Sequence, residues 1–208
     1  MKFRLWPALA LAAMLLGGCA SVVKNDVVAF HDWPANLRDK TYAFDATPEQ
    51  ADSLEYQSYQ KLVRDELQRL GFTPSSAAQA NLKVAMDYRI DARDVKVVQP
   101  MYSDPWPYWY GPYYGPRGFY GPFYDPFWYP GPVVSGYQES HYQVFLRHLN
   151  IRIARKGGKK LYDVTVDSEG GNGSLAFAMP YMVRAAFQDF PGKSGVPHRV
   201  NLKIEAPK

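Results

Sequence analysis

Leu82, Val84, Met86, Tyr88 and Ile90 alternate with Lys83, Asp87, Arg89 and Asp91, the clearest period-two pattern in the chain. Such alternation predicts a strand with one buried and one wet face. Shorter runs predict two earlier strands, Val27-Val28-Ala29-Phe30 and Thr41-Tyr42-Ala43-Phe44, separated by Pro34 and polar residues. Between them and the Leu82 strand the period changes. Tyr59, Leu62, Val63, Leu67 and Leu70 recur at helical spacing, and Gly71 stops the run. Its start is marked twice. Thr47-Pro48-Glu49-Gln50 reads as a capping box with proline at the first helical position, and Asp52-Ser53 offers a second cap one turn later.

A second set of elements begins near Tyr142. Val144 and Leu146 share one phase while Leu149, Ile151 and Ile153 share the other, so a bulge near Arg147-His148 is expected. Lys156-Gly157-Gly158-Lys159 reads as a hairpin turn, with Tyr162, Val164 and Val166 returning. Met179, Met182, Val183, Ala186 and Phe190 predict a second amphipathic helix ended by Pro191-Gly192, and Val200, Leu202 and Ile204 a last strand. The order is β–β–α–β, an insert, then β–β–α–β. Each element has one apolar face to bury, which predicts an α+β fold: a mixed or mostly antiparallel sheet with two helices packed on one face.

The insert is of another kind. Residues 102–130 hold 14 aromatics, seven prolines and four glycines, with only Asp104, Arg117 and Asp125 charged, and Tyr-Gly-Pro recurs at Tyr110, Tyr114 and Tyr120. Proline at this density removes donors and fixes φ, which predicts a long, turn-rich loop over 100–137. Two readings stand. The rings of the loop cover an open sheet face or edge, or they form a contact surface, with Trp106, Trp109, Tyr110, Tyr113, Tyr114, Tyr120, Tyr124 and Trp128 as its candidates. Tyr and Trp are rigid, bury much area and keep a polar handle, as interfaces require, and their flat faces also stack on sugars. Trp and Tyr suit the headgroup level of a membrane as well.

The first residues carry an address. Lys2 and Arg4 precede an apolar run of 11 residues, Trp6–Leu16, too short to span a bilayer but right for a signal-peptide core. The run ends in Leu16-Gly17-Gly18-Cys19, which resembles the lipobox of exported lipoproteins. Residues 1–18 are therefore expected to be a signal peptide and Cys19 the site of lipidation. Cys19 is the chain's only cysteine, so it has no partner for an internal disulfide. Residues 19–26 read as a lipidated tether and 27–208 as a single domain. Ala20-Ser21 after the cysteine lacks the aspartate of inner-membrane retention, which implies the outer membrane with the domain facing the periplasm, the cell surface being the alternative side.

Charge and candidate chemistry narrow the function. Losing Lys2 and Arg4 with the leader leaves 22 basic against 20 acidic residues, and the cluster at Arg155–Lys160 is the predicted turn, so nucleic acid is not an expected partner. His31, His141, His148 and His198 have no metal-ligand spacing. Asp163, Asp167 and Glu169 lack a calcium loop, and Gly171-Asn172-Gly173-Ser174-Leu175-Ala176 matches a dinucleotide pattern only superficially, reading better as a turn with Ser174 as a helix cap. Ser168 and Ser174 have no histidine positioned by sequence as base. No catalytic residue, cofactor or metal is expected.

The lipobox, Thr41-Tyr42-Ala43-Phe44, the helix end Leu70-Gly71-Phe72 and Met182-Val183-Arg184-Ala185-Ala186-Phe187-Gln188-Asp189-Phe190-Pro191 together resemble a bacterial lipoprotein family, domain of unknown function 4136. Ala80-Asn81-Leu82-Lys83-Val84 is similar to that family's strand after the first helix, with Asn81 where the family usually has Asp. The resemblance spans most of residues 27–205 and implies an α+β envelope lipoprotein; it carries over no catalytic residue. The expected function is a non-catalytic structural or interaction role in the cell envelope, attached to the membrane through Cys19, with an unknown envelope protein or glycan as partner. The alternative is a module binding peptidoglycan or lipopolysaccharide, with a hydrolase behind it.

Overall fold

In the computed structural model, residues 21–103 and 133–204 are described. The chain forms β1 (Val22–His31), β2 (Thr41–Phe44), α1 (Pro48–Asp52), α2 (Leu54–Arg69), β3 (Thr73–Pro74), β4 (Leu82–Ser103), β5 (Val133–Arg155), β6 (Lys160–Gly170), α3 (Leu175–Phe187) and β7 (His198–Lys203). The strands make one mixed sheet in the order β3-β2-β4-β5-β6-β1-β7. β2 is parallel to β3 and β4, while β1 is antiparallel to β6 and β7, and β5 to β6. The fold is α+β, as the pattern predicts. The aromatic stretch from residue 104 to 132 lies outside the described residues.

Both sequence signals at the first helix are used. Thr47 and Gln50 close the capping box of the five-residue α1, and Ser53 ends it and caps α2 by accepting from Tyr56 N–H. Tyr56, Tyr59, Val63 and Leu67 give α2 its buried stripe. Ser174 caps α3, whose Ala178, Met179, Met182, Val183 and Phe187 are buried. These helix side chains share one core with Val27 and Ala29 of β1, Leu82, Val84 and Met86 of β4, Leu149, Ile151 and Ile153 of β5, and Val164 and Val166 of β6. The intervening strand residues form an open, polar face. Tyr162 joins the core and donates its hydroxyl proton to Ala186 O at 2.8 Å, so burial raises its pKa without leaving the O–H unpaired.

Three features of the strands differ from the sequence reading. Val22–Asp26, read as tether, is already β1, paired with β7; the alternation hides it because Asn25 points inward where an apolar residue is expected. Asn25 is fully buried and donates from its amide to Val23 O and Val200 O. The bulge expected at Arg147-His148 is absent there: β5 keeps register from Phe145 to Ile153, and the irregularity falls at Ile153/Ala154 beside the turn. Arg147 itself fills the core-side position, only 3% exposed, and donates to Asn172 O at 2.9 Å and Ser168 Oγ at 3.4 Å. Burial lowers its pKa, as desolvation of a cation must. Asn25, Ser168 and Arg147 lie opposite one another on β1, β6 and β5, so one row of the core is polar.

The third difference concerns the insert. β4 continues to Ser103 and β5 resumes at Val133, so Pro100–Ser103 and Val133–Tyr137, read as loop, are strand. Asp94–Gln143 forms a compact unit of its own, and Met1–Arg93 with Val144–Lys208 another. In the smaller unit the strands are tied by Lys96–Glu139 at 2.7 Å and by Ser135 Oγ donating to Met101 O at 3.2 Å. Both faces there show apolar side chains to solvent, among them Val98, Met101, Tyr102, Val134, Tyr137 and Tyr142. A strand without one buried face leaves no alternation to detect.

Of the two glycines before α3, Gly173 has a packing reason. A Cβ on Gly173 would stand 2.9–3.3 Å from the Phe145 ring, whereas one on Gly171 would meet nothing within 4 Å. Asn172 Oδ1 accepts from Ser174 N–H at 2.8 Å, which closes the turn into the cap. Gly173→Ala is therefore expected to cost about 1–3 kcal/mol in urea denaturation, and Gly171→Ala less than about 0.5. Equal effects at the two positions would remove the packing explanation.

Candidate functional site

The open face of the sheet carries a groove of about 360 Å³. Period-two geometry sends alternate side chains of four strands into it: Asp26 from β1, Arg89 and Asp91 from β4, Leu146 and His148 from β5, Asp167 and Glu169 from β6. Register builds a charge row across its floor. Arg199 of β7 faces Asp26, Asp26 faces Asp167, and Asp167 faces His148. Two carboxylates directly opposite each other repel, and here each has a partner on its far side. Arg199 donates to both oxygens of Asp26, at 2.6 and 2.9 Å, and His148 Nδ1 lies 2.6 Å from Asp167 Oδ1.

The Arg199 hydrogen bonds hold the Asp26 carboxyl below the usual carboxylate range and raise the guanidinium in turn. Arg93 lies 4.0 Å from Glu169, and Arg89 lies 3.3 Å from Asp91. Most of these side chains are more than half exposed, so solvent screens each pair and it adds little to stability. A set of paired, solvated charges suits hydrogen bonding to a polar ligand better than burial of an apolar one.

A His–Asp pair can move a proton, but acyl transfer needs a nucleophile within about 3 Å of the imidazole. Ser168, next to Asp167 in sequence, is buried on the opposite face, where its hydroxyl accepts from Arg147. Among the described residues no three His, Cys, Asp or Glu side chains converge as a metal ion needs. His31 Nε2 lies 3.1 Å from Gly192 O and His198 Nε2 3.5 Å from Asp189, so the histidines of the larger unit are dispersed.

Cys19 and all eight candidate aromatics, Trp106 to Trp128, lie outside the described residues. The groove joins residues that the sequence left apart. The carboxylates Asp163, Asp167 and Glu169 were a visible cluster, but the pairing of Asp167 with His148 and with Asp26 depends on strand register across three strands.

The model of the family called DUF4136, a domain of unknown function, matches residues 26–192, from β1 through the turn that follows α3. The chain belongs to this family. The DUF4136 match takes in every element that lines the groove, with Arg199 just beyond it. No curated protein is similar enough to count as a match. A crystal structure of a PDZ domain protein from Parabacteroides distasonis is 16% identical, with 93% of this chain and 42% of that one covered and a TM-score of 0.49. The chain thus spans less than half of that protein's length, and a likeness at this level carries no argument about function. Among the described residues no helix is long and apolar enough to cross a membrane.

Proposed function

We propose that this DUF4136 chain is an outer-membrane-anchored periplasmic lipoprotein with a non-catalytic role in the cell envelope, its contacts made through the aromatic segment. The observation that carries the reading is the leader: a basic start, an 11-residue apolar run and Leu16-Gly17-Gly18 ahead of the chain's single cysteine. The absence of Asp after Cys19 supports the outer membrane. The pairing of charges in the groove, with Ser168 on the other face, supports binding over catalysis. The aromatic segment supplies the concentrated ring surface that protein interfaces use.

A second reading has its own support. The groove offers hydrogen-bonding side chains on a solvated sheet, which favours a glycan such as peptidoglycan or lipopolysaccharide. Photocrosslinking residues placed at Trp109, Tyr114 and Tyr124 in living cells, with purified sacculi as bait in parallel, separate the two. The first reading expects discrete protein adducts from the aromatic positions and no specific retention on sacculi. Retention competed by free muropeptides and lost in His148→Ala would replace it with the glycan reading.

A further inference from the structure

The early start of β1 fixes which end of the domain meets the membrane. Ser21 is already held, its carbonyl accepting from Ile204 N–H at 2.9 Å, and β1 begins at Val22. Three residue steps separate Cys19 from Val22, a reach of at most ~11 Å. A lipid on Cys19 therefore leaves Ala20 as the one residue between the anchored position and the sheet. From these observations we infer that the sheet end formed by the start of β1 and the end of β7 lies on the lipid headgroups, with Lys24 and Lys203 facing anionic lipid. The inference rests on lipidation at Cys19.

The side chains at that end fit such a surface. Val22 lies opposite Lys203 and Lys24 opposite Asn201, so the two lysines share the open face at the corner nearest the anchor, and both are exposed. Val22 and Ile204 show 42% and 36% of their surface. The first carboxylate along β1 is Asp26, and Arg199 neutralises it through two hydrogen bonds. Glu169 of β6, at the same end of the sheet, lies 4.0 Å from Arg93. The β1 and β7 side chains of the corner are thus cationic and apolar together, and lysine stems can lie along apolar surface while their ammonium groups meet lipid phosphates. The opposite end is remote. His31 stands nine residues further along β1, about 30 Å at the rise of a strand, and the Lys156–Lys159 turn follows its partner strand there.

Acylation of Cys19 leaves the full mature chain without a free thiol, so a single fluorophore can be placed at Asn201→Cys or at Gly157→Cys, an open turn position. The lipidated protein is reconstituted into phosphatidylethanolamine–phosphatidylglycerol vesicles containing a headgroup quencher. Quenching at residue 201 is expected to exceed that at residue 157 at least threefold. Ten Gly-Ser residues inserted between Ala20 and Ser21, or Lys24→Glu with Lys203→Glu, should each reduce that ratio by half or more while the protein still sediments with the vesicles. Equal quenching at the two positions in a chain of verified acyl mass overturns the orientation alone. A ratio indifferent to both lysine reversals overturns the headgroup contact. A mature chain without acyl mass at Cys19 overturns the anchoring reading, and the orientation with it.

Discussion

Cys19→Ala is expected to remove the protein from the outer-membrane fraction almost completely and to leave a precursor 18 residues longer than the mature chain. The size of the effect follows from how a lipid anchor works. One acyl chain holds a protein only marginally, while two or three, at ~0.8 kcal/mol per buried methylene, hold it for good. All of that attachment would depend on one residue, because the chain has a single cysteine. Lys24 and Lys203 would contribute at most about 1 kcal/mol each at an anionic surface, far too little to substitute. Sucrose-gradient fractionation with an intact mass of the purified protein measures both consequences. A Cys19→Ala protein that is still trimmed to residue 19 and still sediments with outer membrane would remove lipidation from the account.

Where the sequence was legible, one physical condition held: an element with one apolar face packed against the core. β4 from Leu82 to Met86 and the stripe of α2 meet it, while the exposed β5–β6 turn was legible from its glycines instead. Gly158, at φ +89°, takes the conformation that the predicted turn needs from a glycine. Illegibility had two causes. Asn25 and Arg147 occupy inward positions, so β1 lost its first half to a supposed tether and β5 acquired a supposed bulge. A single inward polar residue reverses the apparent phase of a strand, because the side-chain period is two. The second cause is exposure on both faces, which hid residues 94–102 of β4 and 134–143 of β5.

The groove was illegible for a third reason, which no local pattern repairs. Asp26, Asp167 and His148 come from three strands and lie 19 to 141 residues apart, and only register brings them into one row. The family match adds the extent of the domain but no role for any residue. In the row itself, each carboxylate opposite another has a cation or an imidazole at its side. This arrangement also ranks substitutions. Arg199→Ala leaves Asp26 facing Asp167 with one neutralising partner fewer, and His148→Ala does the same from the other side.

Replacing residues 104–132 by a four-residue Gly-Ser turn is expected to leave the domain folded, with a melting temperature unchanged or a few degrees higher, and to abolish its envelope crosslinks. The core gives the first half of that expectation: among the described residues, none of 94–102 or 134–143 belongs to the hydrophobic cluster built from β1, β2, β4–β7, α2 and α3. The ends to be joined are already close, since Ser135 Oγ donates to Met101 O. Shortening the closed loop from 29 residues to four lowers its closure entropy by roughly 2 kcal/mol, which for a domain of this size is a shift of about 4–8 °C at most. The second half follows from composition, because the deletion removes 13 of the chain's aromatic residues at a stroke. The covering-loop reading expects the reverse, a bared apolar surface with aggregation or a clear fall in melting temperature, and Tyr102 and Tyr137 on the flanking strands would be the first side chains left uncovered. One deletion protein, assayed by thermal melting and by crosslinking in cells, decides between them, and a folded protein that keeps its crosslinks would refute both.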